Sequence, residues 1–284
     1  MTEVATGVHE SIDRESAVRS YVRLYATLAR TSMMQGFQYR VGNYFYMIGM
    51  VAEPVVYLVV WSTIARQQGG DVGGYTPGTF AAYYIVWTLV RNMNIVFTPF
   101  GWEQRIREGE LSGHLARPLH PIHYDLGSFA GWKVVVIVLW LPIAGILSLI
   151  FRPELSPTIA QIAVFGIAIW GAYLIRSLFL WMLGMVTIWT TRVSAIFEAY
   201  FAAELLLSGR LLPVSLMPEW AQTLAGYLPF ESTFGFPITA LVGPITSREL
   251  VIGLVRQFVW IAIGIAGVQL MWRRAIKAYT AVNG

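Results

Sequence analysis

The segment GWEQRIREGELSGHLARPLHP, residues 101–121, brings Glu103, Arg105, Arg107, Glu108, Glu110 and Arg117 together within one short helix and a turn. Long apolar runs flank it on both sides. The chain of 284 residues is 56% hydrophobic and 13% charged, whereas about a quarter of the residues of a soluble domain are charged. Its mean hydropathy is +0.57. A polar island this dense in such a chain reads as a water-facing loop between membrane spans.

Working outward, apolar runs cover 79–100 before the island and 131–151 after it, then 41–65, 158–189, 193–208 and 250–271. About twenty apolar residues at 1.5 Å each cross the hydrocarbon core. These runs therefore predict an all-α membrane protein with six transmembrane helices. The fifth run is short for a span. Residues 18–40 place Val18, Tyr21, Val22, Tyr25, Leu28 and Ala29 at three- and four-residue spacing among Arg19, Arg23 and Arg30, the pattern of a basic amphipathic helix lying in the membrane interface. Residues 1–17 are polar, carry Glu3, Glu10, Asp13 and Glu15, and read as a mobile cytoplasmic tail rather than a cleavable leader. Residues 209–248 alternate Pro and Gly with apolar patches, too interrupted to span and too apolar for a free loop. They read as short re-entrant or interfacial helices on the extracellular side, tolerated at membrane depth only against protein or a water-filled cavity. Residues 18–284 then form one transmembrane domain.

The basic residues set an orientation. With the tail inside, the inner segments hold Arg14, Arg19, Arg23, Arg30, Arg40, Arg105, Arg107, Arg117, Lys133, Arg192, Arg273, Arg274 and Lys277, and the outer ones only Arg66, Arg152, Arg210 and Arg248. This bias places both termini and the island in the cytoplasm. The formal net charge of +4 follows this topology rather than one soluble patch, so nucleic acid is not an expected partner.

Catalytic motifs are missing. The sequence has no GxxxxGK[ST] phosphate loop, no HExxH and no GxSxG. It has no Cys, which removes disulfides and thiolate chemistry, and its four His (His9, His114, His120, His123) match no common metal spacing. Neither a metal site nor a cofactor is expected on this chain. Ionisable residues inside the runs are the other candidates: Glu53, Arg91, Arg176, Glu198, Glu204 and Arg256, each costing a few kcal/mol in lipid unless paired or wet. Glu53 and Arg91 fall near the midpoints of neighbouring runs and form the first expected pair. Arg176 is expected to meet Glu198 or Glu204. Such pairs line a substrate path or proton relay, or else fix helix packing and a dimer contact; both readings stand at this point.

Two motifs carry a family likeness. GELSGHLARPLHP at 109–121 and LLSGRLLPVSLMPEWAQTLAGYLPF at 206–230 resemble the cytosolic loop and the extracellular segment of ABC-2 type (type V exporter-like) transporter permeases, in the bacterial ABC-2 family transporter protein branch. The resemblance covers nearly the whole chain. It implies a half-transporter of the bacterial cytoplasmic membrane that pairs with a second copy or a related permease. Each would dock on a separate nucleotide-binding ATPase that carries the ATP and Mg. The island would be the coupling element, with Glu103, Arg105, Glu108, Glu110, Leu111, Leu115, Arg117, Pro118 and Leu119 as its contact set and Arg19 and Arg23 adding to it. Most relatives of this type export. Two other classes compete with this expectation. One is a secondary transporter driven by an ion gradient through Glu53, Arg91 or Arg176, against which no inverted repeat of broken helices is visible. The other is a membrane-embedded enzyme using Glu103, Glu110 and His114, whose spacing matches no catalytic arrangement.

Overall fold

Three threonines mark where the chain turns from extended backbone into helix. Thr76, Thr98 and Thr158 each accept, through the side-chain oxygen, the amide of the residue three positions on, which satisfies one of the amides left over at a helix start. Proline follows the first two as Pro77 and Pro99, where its missing N–H costs nothing. Gln161 completes a capping box with Thr158.

The computed structural model describes residues 2–117, 119–190 and 193–283; Pro118 and Arg192 therefore lie outside the described residues. The helices are α1 (Thr2–Gln38), α2 (Arg40–Gln67), α3 (Pro77–Met93), α4 (Pro99–Arg107), α5 (Glu110–Leu115), α6 (Ile122–Phe151), α7 (Ile159–Met185), α8 (Ser194–Leu207), α9 (Glu219–Gly226), α10 (Phe230–Thr233), α11 (Gly235–Val242) and α12 (Ser247–Asn283). Among the described residues no strand element occurs. Among the described residues, four helical stretches are long and apolar enough to cross a membrane: 40–67, 122–151, 159–188 and 247–279. The two remaining expected spans are shorter, 17 residues in α3 and 14 in α8. Residues 2–17, expected as a tail, are the first part of α1.

The largest departure from expectation is the break in the 79–100 run. Helix α3 stops at Met93, because Thr98 precedes Pro99 and is extended to cap α4. Ending a helix inside the protein leaves carbonyls without amides. Two cations take them. Lys133 Nζ donates to the Asn92 and Ile95 carbonyls, and Arg176 Nη1 donates to that of Asn94. Positive charge at a helix C-terminus also meets the negative end of its dipole. Lys133, counted above among cytoplasmic charges, is instead fully buried. It sits within α6, which starts at Ile122 rather than at 131.

Helix α3 is the centre of the fold. Phe80, Tyr83, Tyr84 and Trp87 are each no more than 1% exposed, as expected for a helix apolar on all sides. It packs against α2, α6 and α11, while α7 packs against α12 and α1 lies along α6. The α1–α6 crossing is backbone to backbone. A Cβ on Gly131 would stand 2.1 Å from the Ala29 carbonyl oxygen, so only glycine fits there.

Contacts between distant segments define two ends of the molecule. At one, Ser112 Oγ meets the Tyr279 hydroxyl at 3.0 Å and Trp102 packs against Trp272. At the other, Glu154 pairs with Thr76, and Gln161 reaches the Gly243 carbonyl at 3.4 Å. Helices α6 and α7 run between these ends. Interior side chains hold two carbonyls of the non-helical stretch 208–213: Tyr83 donates to that of Gly209 at 2.7 Å, and Tyr84 and Trp61 donate to that of Leu211 at 2.7 and 3.1 Å. Irregular backbone at membrane depth needs such partners.

Candidate functional site

The island folds as a helical hairpin. Helices α4 and α5 turn at Gly109, which takes the left-handed conformation with φ 75°, open to glycine at little cost. Its inner side is anchored. Trp102 is fully buried and stands edge-on to Trp181 at 4.6 Å. The guanidinium of Arg105 grips Asp125 with two hydrogen bonds of 3.0 and 2.9 Å, and Trp181 Nε1 donates to the same carboxylate at 2.8 Å. The two charged side chains are only 7% and 12% exposed, and the guanidinium lies 4.0 Å from the centre of the Phe97 ring. Leu111 is buried beside Trp102.

The outer side is different. Arg107, Glu108, Glu110 and Arg117 are exposed, while Glu103, Leu115 and Leu119 are half-buried. Gln104 donates to Glu108 at 2.9 Å, and Glu103 faces Arg107 at 3.6 Å, a pair too exposed to contribute much stability. The expected contact set thus divides: Arg105 and Leu111 point inward as anchors, and Glu108, Glu110 and Arg117 stand outward. Burial lowers the pKa of His114, with Arg105 adding to the effect, and lowers that of His120 to about 4. His120 packs on Trp272 at 4.5 Å and Trp181 at 5.3 Å, and His123 shares a 2.8 Å hydrogen bond with Tyr25 of α1. Among the described residues no group of three or more His, Asp or Glu stands close enough to hold a metal ion.

The charges inside the apolar runs form a chain. Arg91 pairs with Glu53; Arg210 reaches Glu53 at 3.3 Å and Glu204 at 3.9 Å; Arg176 holds Glu204 in a two-pronged bond of 2.7 and 2.9 Å. Both anticipated pairs, Glu53 with Arg91 and Arg176 with Glu204, are present. Glu198 is exposed on α8 and makes no ion pair among the described residues. Arg256 pairs with Glu231.

Sequence reasoning missed Asp125, Glu231 and the interior place of Arg210. Asp125 fell in the polar connection before the expected third run. Arg210 falls in the Pro- and Gly-interrupted segment 209–248, which reads as extracellular. Its signal was present all the same: it lies six residues after Glu204 in the SGR motif.

Long apolar helices among the described residues, with a polar hairpin bolted to one end and ion pairs through the middle, fit a multi-pass membrane protein. The family model described as ABC-2 family transporter protein matches residues 51–283, and the chain belongs to that family of transporter permeases. No curated protein matches the chain.

Proposed function

We propose that this chain is the membrane half of an exporter that forms its pathway as a dimer, with a second copy or a related permease, and is driven by a separate ATPase seated on the α4–α5 hairpin. The observation that carries this reading is the two-sided construction of the hairpin. A motor can only move the pathway through a protrusion that does not yield at its base. Here the base is tied to α6 by Arg105 and Asp125 and to α7 and α12 by Trp102 against Trp181 and Trp272. The outward charges Glu108, Glu110 and Arg117 give orientation and specificity to docking more than affinity. In this reading ATP and Mg are held by the partner, both termini face the cytoplasm of a bacterium, and α1 lies against the lipid of the inner leaflet. The second pass is made by α3 and the link 94–98 that follows it, the fifth by α8, and residues 209–246 dip into the membrane from outside.

The test is co-purification of the tagged chain from its native host, followed by an ATPase assay and identification of the bound proteins. A P-loop ATPase is expected with the wild type and is expected to be lost with Glu108→Ala, Glu110→Ala and Arg117→Ala combined. Recovery of a second permease identifies a heterodimer. An unchanged triple variant with no ATPase in either preparation overturns the reading in favour of an ion-gradient-driven transporter.

A further inference from the structure

The charge chain holds three guanidiniums, Arg91, Arg176 and Arg210, against two carboxylates, Glu53 and Glu204, so it carries one positive charge in excess. The carboxylates are saturated. Glu53 accepts from Arg91, from Arg210 and from the Tyr57 hydroxyl at 3.3 Å, and both oxygens of Glu204 are taken by Arg176. The arginines are not saturated. Among the described residues Arg91 uses only Nη1 of its nitrogens, and Nε of Arg210 is buried without a partner.

Exposure is graded along the chain. The Arg176–Glu204 end is sealed at 14% and 0% and Arg210 is 15% exposed, whereas Arg91 and Glu53 are 23% and 31% exposed. Charges open at membrane depth face a water-filled cavity or protein rather than lipid. Arg91 and Arg210 are also held in place, both over Trp87 at 5.2 and 5.7 Å, with Arg210 also over Phe234 at 5.3 Å. Tyr39, Asn43, Tyr46, Met50, Glu53 and Tyr57 share one face of α2 by helical spacing. The lower part of that face, Tyr39 to Tyr46, lines a cavity of about 470 Å³ between α1, α2 and α6.

We infer that the open end of this chain, at Arg91 with Arg210 behind it, binds an anionic group, a phosphate or carboxylate, on the transported molecule. A guanidinium with spare, fixed N–H groups suits two-pronged recognition of such oxyanions. The inference rests on the proposed transport role but on neither the motor nor the hairpin.

The test needs only the purified full chain, so its failure is separable from that of the ATPase reading. Thermal melts are recorded in dodecyl maltoside with added dodecyl phosphate or dodecyltrimethylammonium. Dodecyl phosphate is expected to raise Tm saturably, at a half-effective concentration at least tenfold below that of the cationic amphiphile. Arg91→Gln is expected to weaken the effect tenfold or more, Arg91→Lys to retain only part of it because an ammonium keeps the charge but not the two-pronged geometry, and the exposed Arg248→Gln to leave it unchanged. Glu53→Gln separates binding from a structural role, because freeing both arginines from their shared carboxylate is expected to tighten the response. Inorganic phosphate at matched ionic strength reports whether the headgroup alone suffices. Nanodiscs of phosphatidylglycerol against phosphatidylcholine report whether a membrane lipid supplies the anion. Equal responses to both amphiphiles, a wild-type response in Arg91→Gln, or a weaker one in Glu53→Gln overturns the inference.

Discussion

At the scale of the residue, Arg105 illustrates how position decides what a charge does. In the sequence it is one of six charges in a polar island; in the structure it is a buried cation whose carboxylate partner, Asp125, comes from α6. Removing one partner of a buried pair leaves the other uncompensated, at about 3–5 kcal/mol. Arg105→Ala is therefore expected to lower the melting temperature sharply in detergent, and Asp125→Asn to do so less, since the Trp181 hydrogen bond can persist. An unchanged melt for Arg105→Ala would show that the anchor does not hold the hairpin. His120 makes a pH prediction. The unfolded chain takes up its proton near 6.5 but the folded one only near 4, so between these values the unfolded state binds more protons. Stability then falls as pH drops through that window. The wild-type melting temperature is expected to decline between pH 6.5 and 4 more steeply than that of His120→Gln.

Elements in this protein are held by specific contacts at their weak points. The end of α3 inside the protein depends on Lys133, which donates to the carbonyl of Asn92 in its last turn and to that of Ile95 just past it. Each buried polar group left unpaired costs about 1–3 kcal/mol. Lys133→Met is therefore expected to destabilise the chain by that order and to speed hydrogen exchange across residues 92–98; unchanged exchange there would remove the capping role. Helix α1 depends on the close approach at Gly131. Gly131→Val is expected to cost about 1–3 kcal/mol through overpacking and to open α1 to limited proteolysis ahead of the remaining helices.

The whole molecule makes a topological prediction that the absence of cysteine makes easy to test. Ser112 on the hairpin and Ser156 in the α6–α7 connection are exposed and lie at opposite ends of α6. With an impermeant maleimide on intact cells, Ser156→Cys is expected to label directly and Ser112→Cys only after permeabilisation. The reverse pattern would invert the proposed orientation and remove the hairpin from reach of a cytoplasmic motor.

The sequence alone determined the class of molecule, the four long apolar helices, the polar island between apolar runs, the Glu53–Arg91 pair and the pairing of Arg176 with a glutamate of the fifth run. These follow from composition, from runs long enough to match a bilayer, and from the cost of a lone charge in lipid, all of which are local or additive properties. Only the tertiary structure decided where α3 ends, because that break is tolerated through cations supplied by α6 and α7. It also decided that Arg105 and Leu111 turn inward, that Asp125 is the anchor's other half, and that Arg210 joins two pairs into one chain. Each of these depends on which side of a helix meets which neighbour, and hydropathy carries no record of partners distant in sequence.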